Sequence, residues 1–268
     1  MKIAILQISS TLDPVVNLKK IHQLIEQAKN EAKIEAIFLP EVFYSMSDGK
    51  TPTPYLIDEE KRNEHFMAIS NIAKQHSIYV LGGSAATKTE NGIMNRVYNF
   101  DPNGILLNTY DKIHLFSVNL KGKTKETIIN ESDVYSAGKD LVDFELAGLH
   151  FGMTVCFDLR FPELFRKYYQ KGVNVFSVSS AFTVPTGKAH WLTLLKARAI
   201  ENQSYVIATD QWGKHNEKME TYGHSVVIDP WGQVIAECGE GENYKIAEID
   251  LSVVEKIRGR MNISPQIS

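Results

Sequence analysis

Three residues of this sequence are of the types that a thiol hydrolase uses. Cys156 follows the apolar segment 152–155 and precedes a predicted helix, so a sharp turn presents its sulfur. Glu41 comes just after the apolar segment 36–40, at the kind of strand end where α/β proteins place ligands. Lys112 ends a predicted hairpin strand. A nucleophilic thiol, a carboxyl group that moves protons and a fixed cation are together what hydrolysis of an amide requires.

Each of the three residues has a plainer interpretation when it stands alone. A small buried cysteine, a capping or solvated glutamate, and a strand-end lysine with its stem along apolar surface are all common. The second cysteine, Cys238, lies at the edge of a predicted hairpin far from any base, and we interpret it as structural. Two cysteines 82 positions apart form neither a disulfide framework nor a zinc-binding spacing.

The elements that must position these groups are β-α units mixed with hairpins. Residues 3–8 and 36–39 are predicted strands, and apolar residues at helical spacing lie between them. The turn sequences 101–104 (DPNG) and 229–232 (DPWG) each separate alternating segments, which predicts two antiparallel hairpins. A third hairpin is predicted to pair 141–146 with 149–155.

The second half of the chain continues with helices and strands in alternation. Helices are predicted at 162–170 and 188–203, and strands at 173–178 and 205–209. Hairpins mixed with β-α units favour two mixed sheets packed face to face over one parallel sheet. Because no linker divides the chain, we predict an α/β fold with one domain over residues 1–268, a four-layer α-β-β-α sandwich.

Composition and charge exclude several classes of function. The chain is 43% hydrophobic and 23% charged with a formal net charge of -3, and its densest lysine stretch, 121–125, is predicted to be a solvated loop. This pattern gives no basic stripe for a nucleic acid, and no apolar run approaches membrane-spanning length, so we expect a cytoplasmic protein. Metal-ligand spacings and glycine-rich phosphate loops are absent from the sequence, so we expect no metal and no cofactor.

The three candidate residues lie in motifs that together resemble a known family. Leu-Pro-Glu ends at Glu41, Asp-Lys-Ile-His-Leu-Phe surrounds Lys112 71 residues on, and Cys-Phe-Asp-Leu-Arg-Phe-Pro-Glu starts at Cys156 after 44 more. These motifs, with Tyr-Gly-His-Ser at 222–225, resemble the nitrilase superfamily of carbon-nitrogen hydrolases. The resemblance implies that Cys156 is the nucleophile, Glu41 the general base and Lys112 the group that stabilises the tetrahedral oxyanion.

Two more residues are candidates for the reaction itself. The backbone N–H of Phe157, directly after the nucleophile, is placed to be a second oxyanion donor in a strand-turn-helix elbow. Family members usually carry a further glutamate between the lysine and the cysteine, and Glu131 matches that place. The resemblance implies that Glu131 orients Lys112 or a water molecule; its alternative is a solvated loop residue.

A second group of residues is expected to select the substrate. Arg160 lies four positions after Cys156, and its planar guanidinium there is suited to grip a substrate carboxylate with two hydrogen bonds. The alternative is that Arg160 pairs with Asp158 or Glu163. We expect the pocket to be lined further by Phe182, His190 and Trp191.

The segment after the cysteine looks like that of amidases acting on monoamides of dicarboxylic acids. Within that branch, residues 210–218 resemble the deaminated glutathione amidases, and Lys214 or His215 would reach the tail of such a substrate. Omega-amidases, which act on 2-oxoglutaramate and 2-oxosuccinamate, are the alternative, and hydrolysis of an N-carbamoyl amine is a less favoured one.

Other interpretations of the same residues remain open. If the protein is instead a Cys–His hydrolase, His190 or His224 would activate Cys156. If it is a non-catalytic scaffold, it would keep the sandwich fold and bind partners. The family resemblance also implies a homodimer, for which Phe165, Tyr168 and Tyr169 form a suitable aromatic patch. The alternative is that these aromatic residues pack on their own sheet.

Overall fold

The structure of the protein is a computed structural model that describes residues 1–121, 126–217, 219–261 and 263, with the backbone alone for 118–121 and 126–129. The helices are α1 (Pro14–Glu31), α2 (Glu64–His76), α3 (Pro162–Gln170), α4 (Val184–Asn202) and α5 (Leu251–Arg260). The strands are β1 (Lys2–Gln7), β2 (Ala36–Phe38), β3 (Tyr79–Leu81), β4 (Ser84–Thr89), β5 (Gly92–Phe100), β6 (Leu106–Asp111), β7 (Ser117–Lys121), β8 (Glu126–Asn130), β9 (Asp143–Leu146), β10 (Leu149–Val155), β11 (Val175–Ser180), β12 (Tyr205–Asp210), β13 (Trp212–Lys214), β14 (Glu220–Tyr222), β15 (Val226–Ile228), β16 (Val234–Glu237) and β17 (Asn243–Glu248).

Two mixed sheets of similar design form the centre of the molecule. In the first sheet the strand order is β17-β1-β2-β3-β5-β4, with β6 paired to β5, and β1, β2 and β3 run parallel. In the second sheet the order is β16-β15-β12-β11-β10-β9, and β10, β11 and β12 run parallel. Each sheet therefore has a parallel centre, built by β-α units, and antiparallel edges, built by hairpins.

The sheets pack on each other through an apolar layer and are covered by helices on their outer faces. Phe38 of the first sheet stacks on Phe151 of the second, with 6.2 Å between ring centroids. A second cluster joins the first sheet to α1 and α2, and a third joins the second sheet to α3 and α4. These contacts confirm the predicted α-β-β-α sandwich, one domain with two mixed sheets.

Local sequence explains where the elements begin and end. The side chain of Asp13 caps α1 by accepting a hydrogen bond from the backbone N–H of Val15, and Pro14 begins the helix. Gly187 in α4 lies so close to Tyr222 that a Cβ atom would stand 2.2 Å from the ring. Only glycine therefore lets α4 approach the end of β14 this closely.

The three predicted hairpins are confirmed as β5–β6, β15–β16 and β9–β10. One helix differs, because α4 begins at Val184, where Pro185 occupies the first turn, and not at 188. The segment predicted as a solvated lysine-rich loop is bounded by the antiparallel pair β7–β8, and its residues 122–125 lie outside the described residues. Within the described ranges no helix is long and apolar enough to cross a membrane.

The predicted aromatic dimer patch on α3 is wrong. Phe165 and Tyr168 are fully buried in the core, where the Phe165 ring meets Phe176 edge-on at 5.0 Å. Tyr169 instead lies under the guanidinium groups of Arg166 and Arg258. Two of the three aromatic residues thus face their own sheet, because a nine-residue helix lying on a sheet turns one side inward.

Candidate active site

Cys156 lies on a strained turn directly after β10. Its φ angle is +46°, in the left-handed region that residues with a Cβ atom rarely adopt, and a 3₁₀ turn, Cys156–Arg160, follows. The carboxylate of Asp158 holds this turn, because it accepts hydrogen bonds from the Val155 N–H at 2.9 Å and from the Tyr110 hydroxyl at 2.7 Å. Cys156 is 8% exposed, so it is almost enclosed by its neighbours.

Glu41 lies in the same site as Cys156 but follows a strand of the first sheet. It follows β2 after Leu39 and Pro40, and its backbone carbonyl accepts a hydrogen bond from Gln211 Nε2 at 2.9 Å. Its side chain is 4% exposed, and Oε1 accepts from Lys112 Nζ and from Asn95 Nδ2, each at 2.8 Å. The two sheets therefore each supply one of the reacting groups.

Lys112 lies between two carboxylates. Its Nζ donates to Glu41 Oε1 at 2.8 Å and to Glu131 Oε2 at 2.7 Å, and the residue is 2% exposed. Glu131 also accepts from the Phe116 N–H at 2.8 Å and from Asn95 Nδ2 at 3.2 Å. Glu131 is thus part of a buried network, and the alternative of a solvated loop residue does not hold.

Burial dominates the protonation equilibria of this cluster. Burial raises the pKa of Glu41, and the positive charge of Lys112 opposes that shift without cancelling it. Burial lowers the pKa of Lys112, but the charges of Glu131 and Glu41 outweigh it and the pKa ends well above its ordinary value. Burial and then the charge of Glu41 raise the pKa of Cys156 well above the ordinary thiol value. The cluster therefore holds a permanent cation beside a thiol that stays protonated at rest.

Arg160 lies at the rim of the site without a carboxylate partner among the described residues. Its Nη1 is 3.3 Å from His190 Nδ1, and its guanidinium stands 5.7 Å from the Phe157 ring centroid and 5.4 Å from that of Phe182. The alternative pairing with Asp158 does not occur, because the oxygens of Asp158 are taken by Tyr110, His114 and Val155. A cation between two aromatic faces is thus left open to an incoming anion.

The predicted pocket residues lie at three different depths. His190 is exposed, Phe157 is half-buried, and Phe182 is 3% exposed with its ring 4.9 Å from that of Trp191. Trp191 itself is 1% exposed, and its Nε1 donates to the His224 carbonyl at 2.9 Å. Trp191 is therefore almost fully buried and packs against Phe182.

Sequence reasoning missed two buried polar residues of the site. Asn95, on β5, contacts both carboxyl groups of the cluster. Asp210, at the end of β12, accepts from the Phe182 N–H at 2.8 Å, and burial raises the pKa of its carboxyl group well above the ordinary value. A polar side chain within or at the end of a strand was the available signal for both.

The two other candidate histidines, His215 and His224, and the second cysteine each contact residues outside the cluster. His224 Nδ1 is 3.0 Å from Glu237 Oε1, and its ring stacks on Tyr222. Both ring nitrogens of His215 are engaged, with the Ser10 carbonyl at 2.8 Å and the Thr221 hydroxyl at 2.7 Å. His215 is therefore not free to reach a substrate tail. Cys238 is buried in the layer between the sheets, apart from the candidate site.

An acid, a lysine and a thiol from the two sheets lie together here, and comparison with known proteins identifies the family. The family model described as Carbon-nitrogen hydrolase matches residues 2–259. The chain belongs to this family.

Relatives of known name cover almost the whole chain. The Nitrilase and fragile histidine triad fusion protein NitFhit of Caenorhabditis elegans is 38% identical over 96% of this chain, which spans 58% of that protein's length. Its crystal structure matches with a TM-score of 0.85 at 35% identity, covering 98% of this chain and 63% of that one. A deaminated glutathione amidase of Dictyostelium discoideum is 36% identical over 96% of this chain and 90% of its own. Omega-amidase NIT2 of Danio rerio is 33% identical over 99% and 94%.

Proposed function

We propose that this protein is a thiol amidohydrolase that cleaves the amide of a small carboxylate-bearing substrate through a thioester at Cys156. The observation that carries the proposal is the buried cluster of Glu41, Lys112 and Glu131 beside the Cys156 thiol. Burying four ionisable groups together is costly unless they are paired, and such clusters concentrate at functional sites.

In the proposed reaction Glu41 moves one proton out and back. It takes the proton of Cys156 as the sulfur attacks the amide carbon, and it then gives that proton to the departing nitrogen. Lys112, together with the Phe157 N–H, stabilises the negative charge on the tetrahedral oxygen. Water then attacks the thioester, Glu41 takes its proton, and the acid product leaves as the proton returns to sulfur. Glu131 orients the Lys112 ammonium group through the 2.7 Å hydrogen bond.

We place the substrate carboxylate on Arg160, between the rings of Phe157 and Phe182. A guanidinium with no carboxylate partner in the described part of the chain gains most from an anion that offers two oxygens. Trp191 contributes by fixing Phe182, and exposed His190 holds one edge of the guanidinium.

Deaminated glutathione is the substrate we favour, with a role in metabolite repair. The name of the Dictyostelium relative and the likeness of residues 210–218 to the deaminated glutathione amidases support this choice. Lys214 is the residue of that segment suited to the substrate tail, since its side chain is largely exposed and its ion pair is with exposed Glu217. Lys218, of the same segment, lies outside the described residues.

Omega-amidase activity on 2-oxoglutaramate is the second candidate. The Danio relative supports it, because the match covers nearly the full length of both chains. Both substrates present a 2-oxo acid carboxylate and differ in the leaving group, which is cysteinylglycine in one and ammonia in the other. The choice between them therefore depends on the space beyond the scissile bond.

The test offers both substrates in parallel and measures 2-oxoglutarate, the acid product that they share, beside cysteinylglycine and ammonia. The proteins are the wild type, Cys156→Ala and, as a matched control, Cys238→Ala, which removes the other buried thiol. We expect hydrolysis of deaminated glutathione by the wild type and by Cys238→Ala, and none by Cys156→Ala. A strong preference for 2-oxoglutaramate would identify an omega-amidase. A folded wild type silent on both would reject these substrates and reopen N-carbamoyl amines and a scaffold.

We also propose that the protein acts in the cytoplasm as a homodimer. Two free, buried cysteines suit a reducing compartment. Exposed Ile200 and Trp231 provide apolar surface near the end of α4 in place of the α3 patch. Sedimentation equilibrium across a range of concentrations tests the dimer, and a single monomeric mass throughout would reject it.

A further inference from the structure

We propose that Asn95 is a positioning residue that reserves one oxygen of Glu41 for the Cys156 proton. This inference rests on the proposed function of the cluster. Asn95 is 1% exposed, and its single amide nitrogen donates to Glu41 Oε1 at 2.8 Å and to Glu131 Oε1 at 3.2 Å. It is therefore the neutral group that bridges the two carboxyl groups, while Lys112 is the charged one.

The hydrogen bonds divide the two oxygens of Glu41 between different tasks. Oε1 accepts from both Lys112 and Asn95, so its two lone pairs are occupied. The thiol of Cys156 interacts with the same carboxyl group, and Oε2 is the oxygen left for it. A proton placed on Oε2 leaves both hydrogen bonds to Oε1 intact, whereas a proton on Oε1 would face two N–H donors. The carboxyl group thus keeps its position while the proton arrives and leaves.

The orientation of the Asn95 amide supports this role. Its Oδ1 is buried and has no hydrogen-bond partner among the described residues. An unpaired buried acceptor is unfavourable, so the two contacts of the nitrogen must outweigh it. If the amide were turned over, Oδ1 would stand against two carboxylates. The electrostatics of Glu41 and Glu131 therefore determine which way Asn95 points.

Backbone contacts also fix the position of Asn95. The carbonyl of Asn95 accepts the Lys112 N–H at 3.0 Å, so one residue holds the acid through its side chain and the lysine through its backbone. The next residue, Arg96, donates to Asp111 at 2.7 and 2.9 Å across the β5–β6 pair. These contacts fix the register of the strand that carries Asn95.

The experiment compares Asn95→Leu and Asn95→Ser with Asn99→Leu. Asn99 is a matched control because it is buried on the same strand and bonds Asn108 and Gly82, away from the cluster. For each protein we would measure kcat and KM with deaminated glutathione, the rate of Cys156 alkylation by iodoacetamide against pH, and Tm. Alkylation needs no substrate, so it reports on Asn95 even if the proposed substrate is wrong.

In Asn95→Leu we expect kcat to fall about 10- to 100-fold with KM changed less than about threefold. Loss of the donor leaves the Glu41 carboxylate less stable, so the acid limb of both pH profiles should move to higher pH. Asn95→Ser, whose hydroxyl group still donates one hydrogen bond, should lie between it and the wild type. The other titratable groups around Glu41 are the same in all variants: Lys112, Glu131, Cys156, Tyr135 and Asp210.

Asn99→Leu should lower Tm and leave the acid limb where it is. The proposal is overturned if Asn95→Leu and Asn95→Ser lower Tm but keep the wild-type acid limb and kcat, because Asn95 would then be structural only. If no protein hydrolyses the amide but alkylation still depends on Asn95, the substrate proposal fails and the positioning role stands.

Discussion

The two ends of the candidate site are built in opposite ways. At the inner end, Glu41 and Lys112 are buried, Glu131 is half-buried, and each charge meets a partner within 2.8 Å. At the outer end, the partners of Arg160 within the described ranges are a histidine nitrogen and two aromatic rings. The inner end is complete before any substrate binds, whereas the outer end is completed by the substrate.

This difference separates chemistry from recognition. A preorganised charge cluster stabilises a transition state without rearrangement. It also affects folding stability, because removing one member leaves another buried charge without its partner. An unpaired rim cation contributes little to folding and is free to set affinity. Removing the cation of the inner end should therefore alter turnover and stability together, and changes at the outer end should alter affinity alone.

Lys112→Met should have the largest effect. It removes the cation from between two buried carboxylates, so we expect kcat/KM to fall at least about 1,000-fold and the free energy of unfolding to fall by about 3–5 kcal/mol. Steady-state assays and urea unfolding measure the two quantities. An active, equally stable Lys112→Met protein would contradict the view of the inner end as an interdependent unit.

Glu41→Gln should separate turnover from stability within the inner end. The amide oxygen of glutamine still accepts from Lys112 and Asn95, but it no longer takes a proton, so kcat should fall about 100- to 10,000-fold. Urea unfolding should show a stability near that of the wild type. Near-normal kcat would instead favour the Cys–His alternative, in which Glu41 is dispensable.

Arg160→Met should affect the outer end only. We expect KM for a carboxylate-bearing amide to rise about 10- to 100-fold, the value of a charged hydrogen-bond pair, with kcat and unfolding almost unchanged. Arg166→Met, which removes an arginine outside the site, is the matched control. Equal KM changes in the two variants would show that Arg160 has no special role in recognition.

The smallest expected effect is a shift in the pH dependence of activity, caused by the raised pKa of Glu41. Glu41 must be ionised to take the thiol proton, and burial raises its pKa above the ordinary value of 4.5. Activity should therefore be lost as pH falls through a value higher than 4.5, because protonation then reaches Glu41 earlier than a solvated glutamate. A kcat/KM profile with its acid limb at or below 4.5 would contradict this shift.

Sequence was most informative where local rules decide the outcome. Alternating residues around the DPNG and DPWG turns predicted the hairpins, and the motifs around Glu41, Lys112 and Cys156 predicted which groups would meet. The contributions of Asn95 and Asp210 could not be predicted, because a polar residue inside a strand has meaning only once its partners from distant segments are known.

Sequence was misleading where one pattern fits two environments. Aromatic residues on a short helix suit an interface as well as a core, and Phe165 and Tyr168 belong to the core. Trp191, which was expected to line the pocket, is 1% exposed and packs against Phe182. Burial of this kind depends on how α3 and α4 lie on the second sheet, which periodicity alone does not determine.

The protonated state of Cys156 also governs how the protein withstands oxidants. Peroxides react with a thiolate to form sulfenic acid and react slowly with a neutral thiol. Since burial and the charge of Glu41 keep the pKa of Cys156 well above its ordinary value, the resting sulfur is a poor target. The same pKa shift that delays ionisation of the Cys156 thiol therefore also slows its oxidation.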